Sequence, residues 1–281
     1  MSQEPVAAPL GPHGGYMHAA SAFDDELARL RLLEQRYDDR TFARLSALGP
    51  LAGLRCLEVG AGAGSVACWL AVQAGPCGRV VATDADPRFL AGAAAAGCEV
   101  RRHDILADRL ESGRYDLVHC RALLCHLADP GRALGRMAAA VRPGGWLLVE
   151  DADYVSLVAA DPAHPRSACF DAAIRKVMTF FAASRAFNPF LGRRLPGLAT
   201  AIGLADAGSE AIACHRPGGS AAAELLRRSL ERARGTVLGH GVVDAAEFEA
   251  VIAATRDPSF GFVDALSVAA WGRISLISAE R

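Results

Sequence analysis

Between residues 57 and 65 the chain reads Leu57-Glu58-Val59-Gly60-Ala61-Gly62-Ala63-Gly64-Ser65, and shortly afterwards Arg79-Val80-Val81-Ala82-Thr83-Asp84. The pattern predicts a strand, a glycine-rich turn, a helix, and a second strand that ends in a carboxylate. Such a unit builds a nucleotide site from backbone geometry. Alternate glycines at 60, 62 and 64 let the turn approach a ligand closely, and the helix amino end supplies free N–H groups. Asp84 is placed to accept from neighbouring ribose hydroxyls.

The elements needed to hold that unit are legible around it. Strands are expected at 55–59, 79–83, 99–103, 115–120 and 146–149, with helices at 65–74 and 87–96 and another from Asp129-Pro130 onward. Asp86 and Asp129 stand where N-caps belong, each followed by proline at the first helical position. Pro143-Gly144-Gly145 is expected to end the last of these helices and turn the chain into the next strand. Alternation of this kind predicts a Rossmann-like α/β fold, with a mostly parallel sheet and helices on both faces. Before it, Ser21-Ala22-Phe23-Asp24 has the form of a capping box. Phe23, Leu27 and Leu30 predict one helix, and 41–48 a second short one. After Asp153 the regularity breaks. An insertion at 154–190 carries a helix on Phe170, Ile174, Val177, Met178 and Phe181, and a helix is expected at 193–202. Residues 211–215 form a candidate strand, helices are expected at 221–234 and 244–255, and 265–271 would close the sheet.

Length and composition bound the function. With 281 residues there is ample chain for a real core. The formal net charge of −1 supplies no general attraction to nucleic acid or anionic lipid, so neither is an expected partner. The 8 cysteines include no C-x-x-C pair, which points to free thiols in a reducing cytoplasm. No apolar run is long enough to span a bilayer.

Two cofactors suit the glycine turn. Gly62-Ala63-Gly64-Ser65-Val66-Ala67 fits the dinucleotide pattern G-x-G-x-x-A, and Asp84 lies near the spacing of an NAD ribose acid, which keeps an NAD(P)-binding oxidoreductase as the alternative. Against it, Glu58 precedes the turn and glycine stands at every second position. The segment 57–64 resembles motif I of the class I S-adenosylmethionine-dependent methyltransferases. Further motifs follow in that family's order: Asp84, then His103-Asp104-Ile105, then Tyr115-Asp116-Leu117-Val118-His119-Cys120-Arg121, then Arg142-Pro143-Gly144-Gly145-Trp146.

The resemblance implies a seven-stranded sheet whose last two strands pair antiparallel. It implies a cap at 1–48 and a methyltransferase domain at 49–281 with lid insertions at about 154–190 and 218–258. S-adenosyl-L-methionine would be the cofactor and S-adenosyl-L-homocysteine the product, without a metal. The cofactor would lie on Glu58, Gly60, Ala61, Gly62, Gly64, Asp84, Ala85, Asp104, Ile105, Cys120 and Arg121. The acceptor would be a small, partly apolar metabolite of secondary metabolism, methylated on O, N or C, against Phe181, Phe187 and Phe190. His126, Tyr16, Glu150 and Asp151 are the candidate bases. A homo-oligomer and a non-catalytic cofactor-binding protein stay open. His119, inside its strand, reads as a core histidine.

Overall fold

The computed structural model describes residues 23–184 and 187–275. The first element is a single helix, α1 (Phe23–Ala47), where the sequence predicts two. No proline or glycine interrupts it. Asp24, Asp25 and Glu26 in its first turn and Arg44 in its last oppose the helix dipole from both ends. Its buried stripe mixes apolar and polar side chains, with Leu30, Tyr37 and Leu45 alternating with Glu26, Glu34, Thr41 and Arg44.

The sheet is built from β1 (Arg55–Val59), β2 (Arg79–Asp84), β3 (Glu99–Arg102), β4 (Tyr115–Arg121), β5 (Val141–Asp153), β7 (Ala205–Ile212) and β10 (Leu266–Arg273). Their order is β3-β2-β1-β4-β5-β10-β7. The first five are parallel, and β10 runs antiparallel between β5 and β7. β1 is buried from Cys56 to Val59, as a strand covered on both faces must be. The order reverses between β1 and β4, so the carboxyl ends of these two strands open a crevice.

Helices α2 (Ser65–Ala74), α3 (Ala91–Ala95), α4 (Pro130–Ala140) and α6 (Leu195–Ala201) flank the sheet. Asp129 caps α4 by accepting from Arg132 N, as expected. The helix expected at 87–96 divides at Leu90 into a single 3-10 turn, Pro87–Phe89, and α3. β5 starts five residues earlier than expected, because Gly144 and Gly145 exchange backbone hydrogen bonds with Ile274. A side chain at Gly145 would meet Val141 Cγ1 at 2.7 Å and Asp116 O at 2.8 Å, so glycine is required by this approach.

The strand expected at 211–215 is corrected in place. β7 ends at Ile212, and His215 opens a second sheet instead. That sheet joins β6 (Val158–Ala159), β9 (Gly261–Val263) and β8 (His215–Pro217), all antiparallel. It packs with α5 (Ser167–Ser184), α7 (Ala221–Gly239) and α8 (Ala245–Arg256) around Phe170, Ile174, Val177, Leu230, Phe248, Val251, Phe260 and Phe262. α1 packs on both α7 and α2, joining this second layer to the glycine-turn end of the sheet.

Candidate functional site

The crevice holds a cleft of about 510 Å³, within the size range of small-molecule sites. Its glycine turn is backbone-determined. Gly60, Gly62 and Gly64 have φ of +71°, +58° and +92°, the left-handed region that glycine adopts at least cost. Thr83 O accepts from Gly60 N and Ala61 N at 2.8 and 2.9 Å, which lays the turn against β2. Asp84 accepts from Gly62 N and from Asp86 N, each at 2.9 Å. Burial pushes the Asp84 carboxyl up, against the pull of these N–H groups.

Glu58, Gly60, Ala61, Gly62, Asp84, Ala85, Asp104, Ile105, Arg121 and His126 all line the cleft. Two expected contacts do not. Gly64 is the residue before α2, and its absent Cβ faces Ala93 at 3.1 Å. Cys120 is fully buried inside β4, where burial pushes its thiol well up. Asp104 Oδ1 accepts from Leu106 N at 2.8 Å, shaping the turn that presents Ile105. His103 lines the same wall, and its two ring nitrogens are buried without a hydrogen-bond partner among the described residues. Unmet polar capacity beside Asp84 and Asp104 suits a cleft built to receive a polar guest.

Beneath the cleft runs a buried charge network. His119 Nδ1 lies 2.6 Å from Glu58 Oε2, and its Nε2 lies 3.6 Å from Glu150 Oε1. Burial alone would push His119 down; Glu58 and Glu150 outweigh it and hold the imidazolium up to about 9. Glu150 Oε2 accepts from Thr41 and Arg44 at 3.0 and 2.8 Å. Arg121 donates to Thr41 and to Asp38 at 2.9 and 2.8 Å. Glu34 and Asp38 in turn accept from Ser65 N and Ser65 Oγ, both at 2.9 Å, so α1 caps the glycine-turn helix. Glu150 therefore serves this network and lines neither cavity, against its expected role as a base.

A second cavity of about 160 Å³ adjoins the cleft, sharing Arg29, Leu33, Ala122 and His126 as common wall. Ala122 holds φ +53° there, a left-handed conformation uncommon for a residue with a Cβ. Of the three phenylalanines expected against the acceptor, Phe181 and Phe187 line this chamber; Phe190 does not, lying instead under the Arg193 guanidinium at 5.0 Å. His126 rests on the Phe187 ring at 5.2 Å. Asp151 lines the chamber and accepts from Cys125 N and Ala152 N at 2.9 Å, and burial pushes its carboxyl up to about 6. Asp153, two residues on, is bound to Arg193, so the three acids of this strand end turn to three separate partners. Tyr16 lies outside the described residues.

The sequence reading expects a cap at 1–48 but names none of the α1 residues that line the cleft. Glu26, Arg29, Leu30, Leu33 and Glu34 all line the cleft. Their signal is present in the chain: residues 26, 30, 34, 37, 41 and 44 fall on one helical stripe that mixes Leu30 and Tyr37 with charged groups. A stripe that buries charge needs partners across it.

A family model described as "Methyltransferase domain" matches residues 28–191, more than half the chain. An uncharacterized 37.1 kDa protein in transposon TN4556 of Streptomyces fradiae is 30% identical over 193 residues, 66% of this chain and 54% of that protein. Methyltransferase str3 of Strobilurus tenacellus is 32% identical over 146 residues, 51% of this chain and 50% of that one. The chain thus spans about half the length of these curated relatives. Phosphoethanolamine N-methyltransferase 2 of Haemonchus contortus, solved with phosphomonomethylethanolamine and S-adenosylhomocysteine, shares the fold at TM-score 0.54 and 17% identity, covering 91% of this chain and 61% of that one. With the strand order, the glycine turn and Asp84 in the positions described, the chain belongs to the class I S-adenosylmethionine-dependent methyltransferase family.

Proposed function

We propose that the protein transfers a methyl group from S-adenosyl-L-methionine to a small, partly apolar metabolite held in the chamber beside the cleft. The observation that carries this reading is the common wall: one cavity carries the nucleotide features, the other is largely apolar, and they meet at Ala122 and His126. When bound, the cofactor supplies an already activated methyl group on a sulfonium.

The residues present suit it. Asp84 would hold the ribose hydroxyls, Asp104 and Ile105 the adenine, and the turn at Gly60–Gly62 would lie against the rest. The unpartnered nitrogens of His103 fit a polar guest on the same wall. What the chain contributes is alignment and exclusion of water. α1, α5 and α7 all contribute to the chamber wall, so they serve as its lid. Of the candidate bases among the described residues, His126 and Asp151 face the chamber, and His126 also faces the cleft. His126 is the group assigned to take a proton from an acceptor that must lose one.

Incubation of the full chain with S-adenosylmethionine labelled in the methyl group and an extract of small metabolites tests the reading. Label in a low-mass product supports it. Label in nucleic acid or protein alone would overturn it.

A further inference from the structure

Tyr154 stands one aromatic contact away from His126, where the two cavities meet. It opens the short turn that follows β5, at Tyr154–Ser156, and His126 closes the one that follows β4, at Leu124–His126. β4 and β5 are paired parallel neighbours, so both turns leave the sheet at the same end. Residues 187–189 tie the two turns together. Asn188 N donates to Cys125 O and Tyr154 N donates to Pro189 O, each at 2.8 Å. The Phe187 ring meets His126 at 5.2 Å and Tyr154 at 5.7 Å. Cys125 N adds a further tie by donating to Asp151 of β5 at 2.9 Å.

Tyr154 has hydrogen-bonding capacity to spare. It lines the chamber, and its hydroxyl forms no hydrogen bond among the described residues. The acids near it are engaged elsewhere. Asp151 accepts from Cys125 N and Ala152 N, while Asp264 accepts from Ala265 N and pairs with Arg36. An ordinary phenol is protonated at neutral pH, and burial pushes this one further up, to about 12, against the pull of Arg36. Tyr154 is therefore a donor and not a base. Tyr37, also on the chamber wall, lies under the Arg36 guanidinium at 4.6 Å and makes no ring contact with Phe187 among the described residues.

A fixed donor beside the base selects the accepting atom. A hydroxyl oxygen has two lone pairs, so it can accept from Tyr154 on one and present the other to the methyl group. A neutral amine nitrogen has a single lone pair, which methyl transfer itself uses. We infer, resting on the methyl-transfer reading, that Tyr154 is a catalytic residue beside His126, donating a hydrogen bond to the accepting atom, and that this atom is a hydroxyl oxygen. The hydroxyl proton passes to His126, an oxygen lone pair forms the new O–C bond, and the S–C bond breaks with its electron pair staying on sulfur. Tyr154 keeps its own proton throughout and steadies the charge that develops on the oxygen.

The chamber volume of about 160 Å³, close to the ~150 Å³ of an engineered cavity that holds benzene, admits phenol and toluene as probes. In calorimetry on the full chain saturated with S-adenosylhomocysteine, Tyr154→Phe should lower phenol affinity about fivefold, the worth of one neutral hydrogen bond, and leave toluene within twofold. S-adenosylhomocysteine affinity within twofold of wild type shows that the variant is folded. A second readout needs no variant: wild-type chain incubated with methyl-labelled S-adenosylmethionine and a metabolite extract should place the label in a methyl ether. Tyr154→Phe should slow that labelling at least tenfold. Phenol affinity or labelling rate unchanged by Tyr154→Phe, no phenol binding by a chain that binds S-adenosylhomocysteine, or label on nitrogen, carbon or a carboxylate would overturn the inference. Phenol binding that depends on Tyr154, with no label in any low-mass product, would uphold Tyr154 as the oxygen-binding group and overturn the methyl-transfer reading instead.

Discussion

His119 and Glu58 stand side by side on neighbouring parallel strands, Nδ1 to Oε2 at 2.6 Å, with both side chains buried. Glu58 also lines the cleft, so the histidine fixes a carboxylate at the cleft floor from behind. Replacing His119 by glutamine keeps a donor but removes the charge between Glu58 and Glu150. A loss of about 3 kcal/mol in unfolding free energy is expected, the low end for breaking a buried ion pair.

The same pair sets a pH dependence. The His119 imidazolium is held up to about 9 in the folded chain, from an ordinary 6.5. A raised cationic group adds stability that is complete below about pH 6.5 and is lost as pH climbs through about 9. Thermal unfolding between pH 6 and 9.5 should show this decline in the wild type, and His119→Gln should lack the histidine-linked part. Parallel curves for the two proteins would remove His119 as the linked group.

The Asp84 carboxylate already receives Gly62 N and Asp86 N, apart from the ribose contact proposed for it. Asp84→Ala should weaken S-adenosylhomocysteine binding by about 1.5–3 kcal/mol, and should also destabilise the free chain by about 1–3 kcal/mol as the turn loses its acceptor. Asp84→Asn, which keeps an acceptor, should recover most of the stability and less of the affinity. Calorimetry and thermal unfolding separate the two effects.

The glycines divide by position. Gly64→Ala meets φ +92° and the Ala93 Cβ at 3.1 Å, so about 1–2 kcal/mol of stability should be lost with little change in cofactor affinity. Gly60→Ala meets φ +71° and Leu123 at 3.0 Å, and both residues line the cleft. Stability and affinity should fall together there. Equal effects on affinity from both variants would contradict the placement of Gly64 off the cleft wall.

His126→Ala should reduce turnover about 10²-fold or more, the usual worth of a positioned general base. Affinity for S-adenosylhomocysteine should stay within a few-fold, because Asp84 and the glycine turn remain. Turnover unchanged across pH would show that the acceptor needs no base from His126.

The central strand–turn–helix unit is legible in the sequence because every signal there is local. Alternate glycines, an apolar strand and a carboxylate at a strand end need no distant partner to be recognised. α2 accordingly has the expected bounds of 65–74. β7 is the opposite case: Ala205–Ile212 is a largely exposed strand of small and polar residues, without alternation, defined by its ladder with β10. The second sheet has strands of two and three residues, too short for any period to show. The chamber is illegible for a similar reason. Tyr37, Tyr154 and Asp264 lie on three separate segments, and only tertiary packing brings them to one wall.

The most direct test of the account is a calorimetric titration of the full chain with S-adenosylhomocysteine and, separately, with NAD. Binding of S-adenosylhomocysteine at one site per chain, weakened by Asp84→Ala, with no response to NAD is the predicted result. Tight binding of NAD and none of S-adenosylhomocysteine would contradict it.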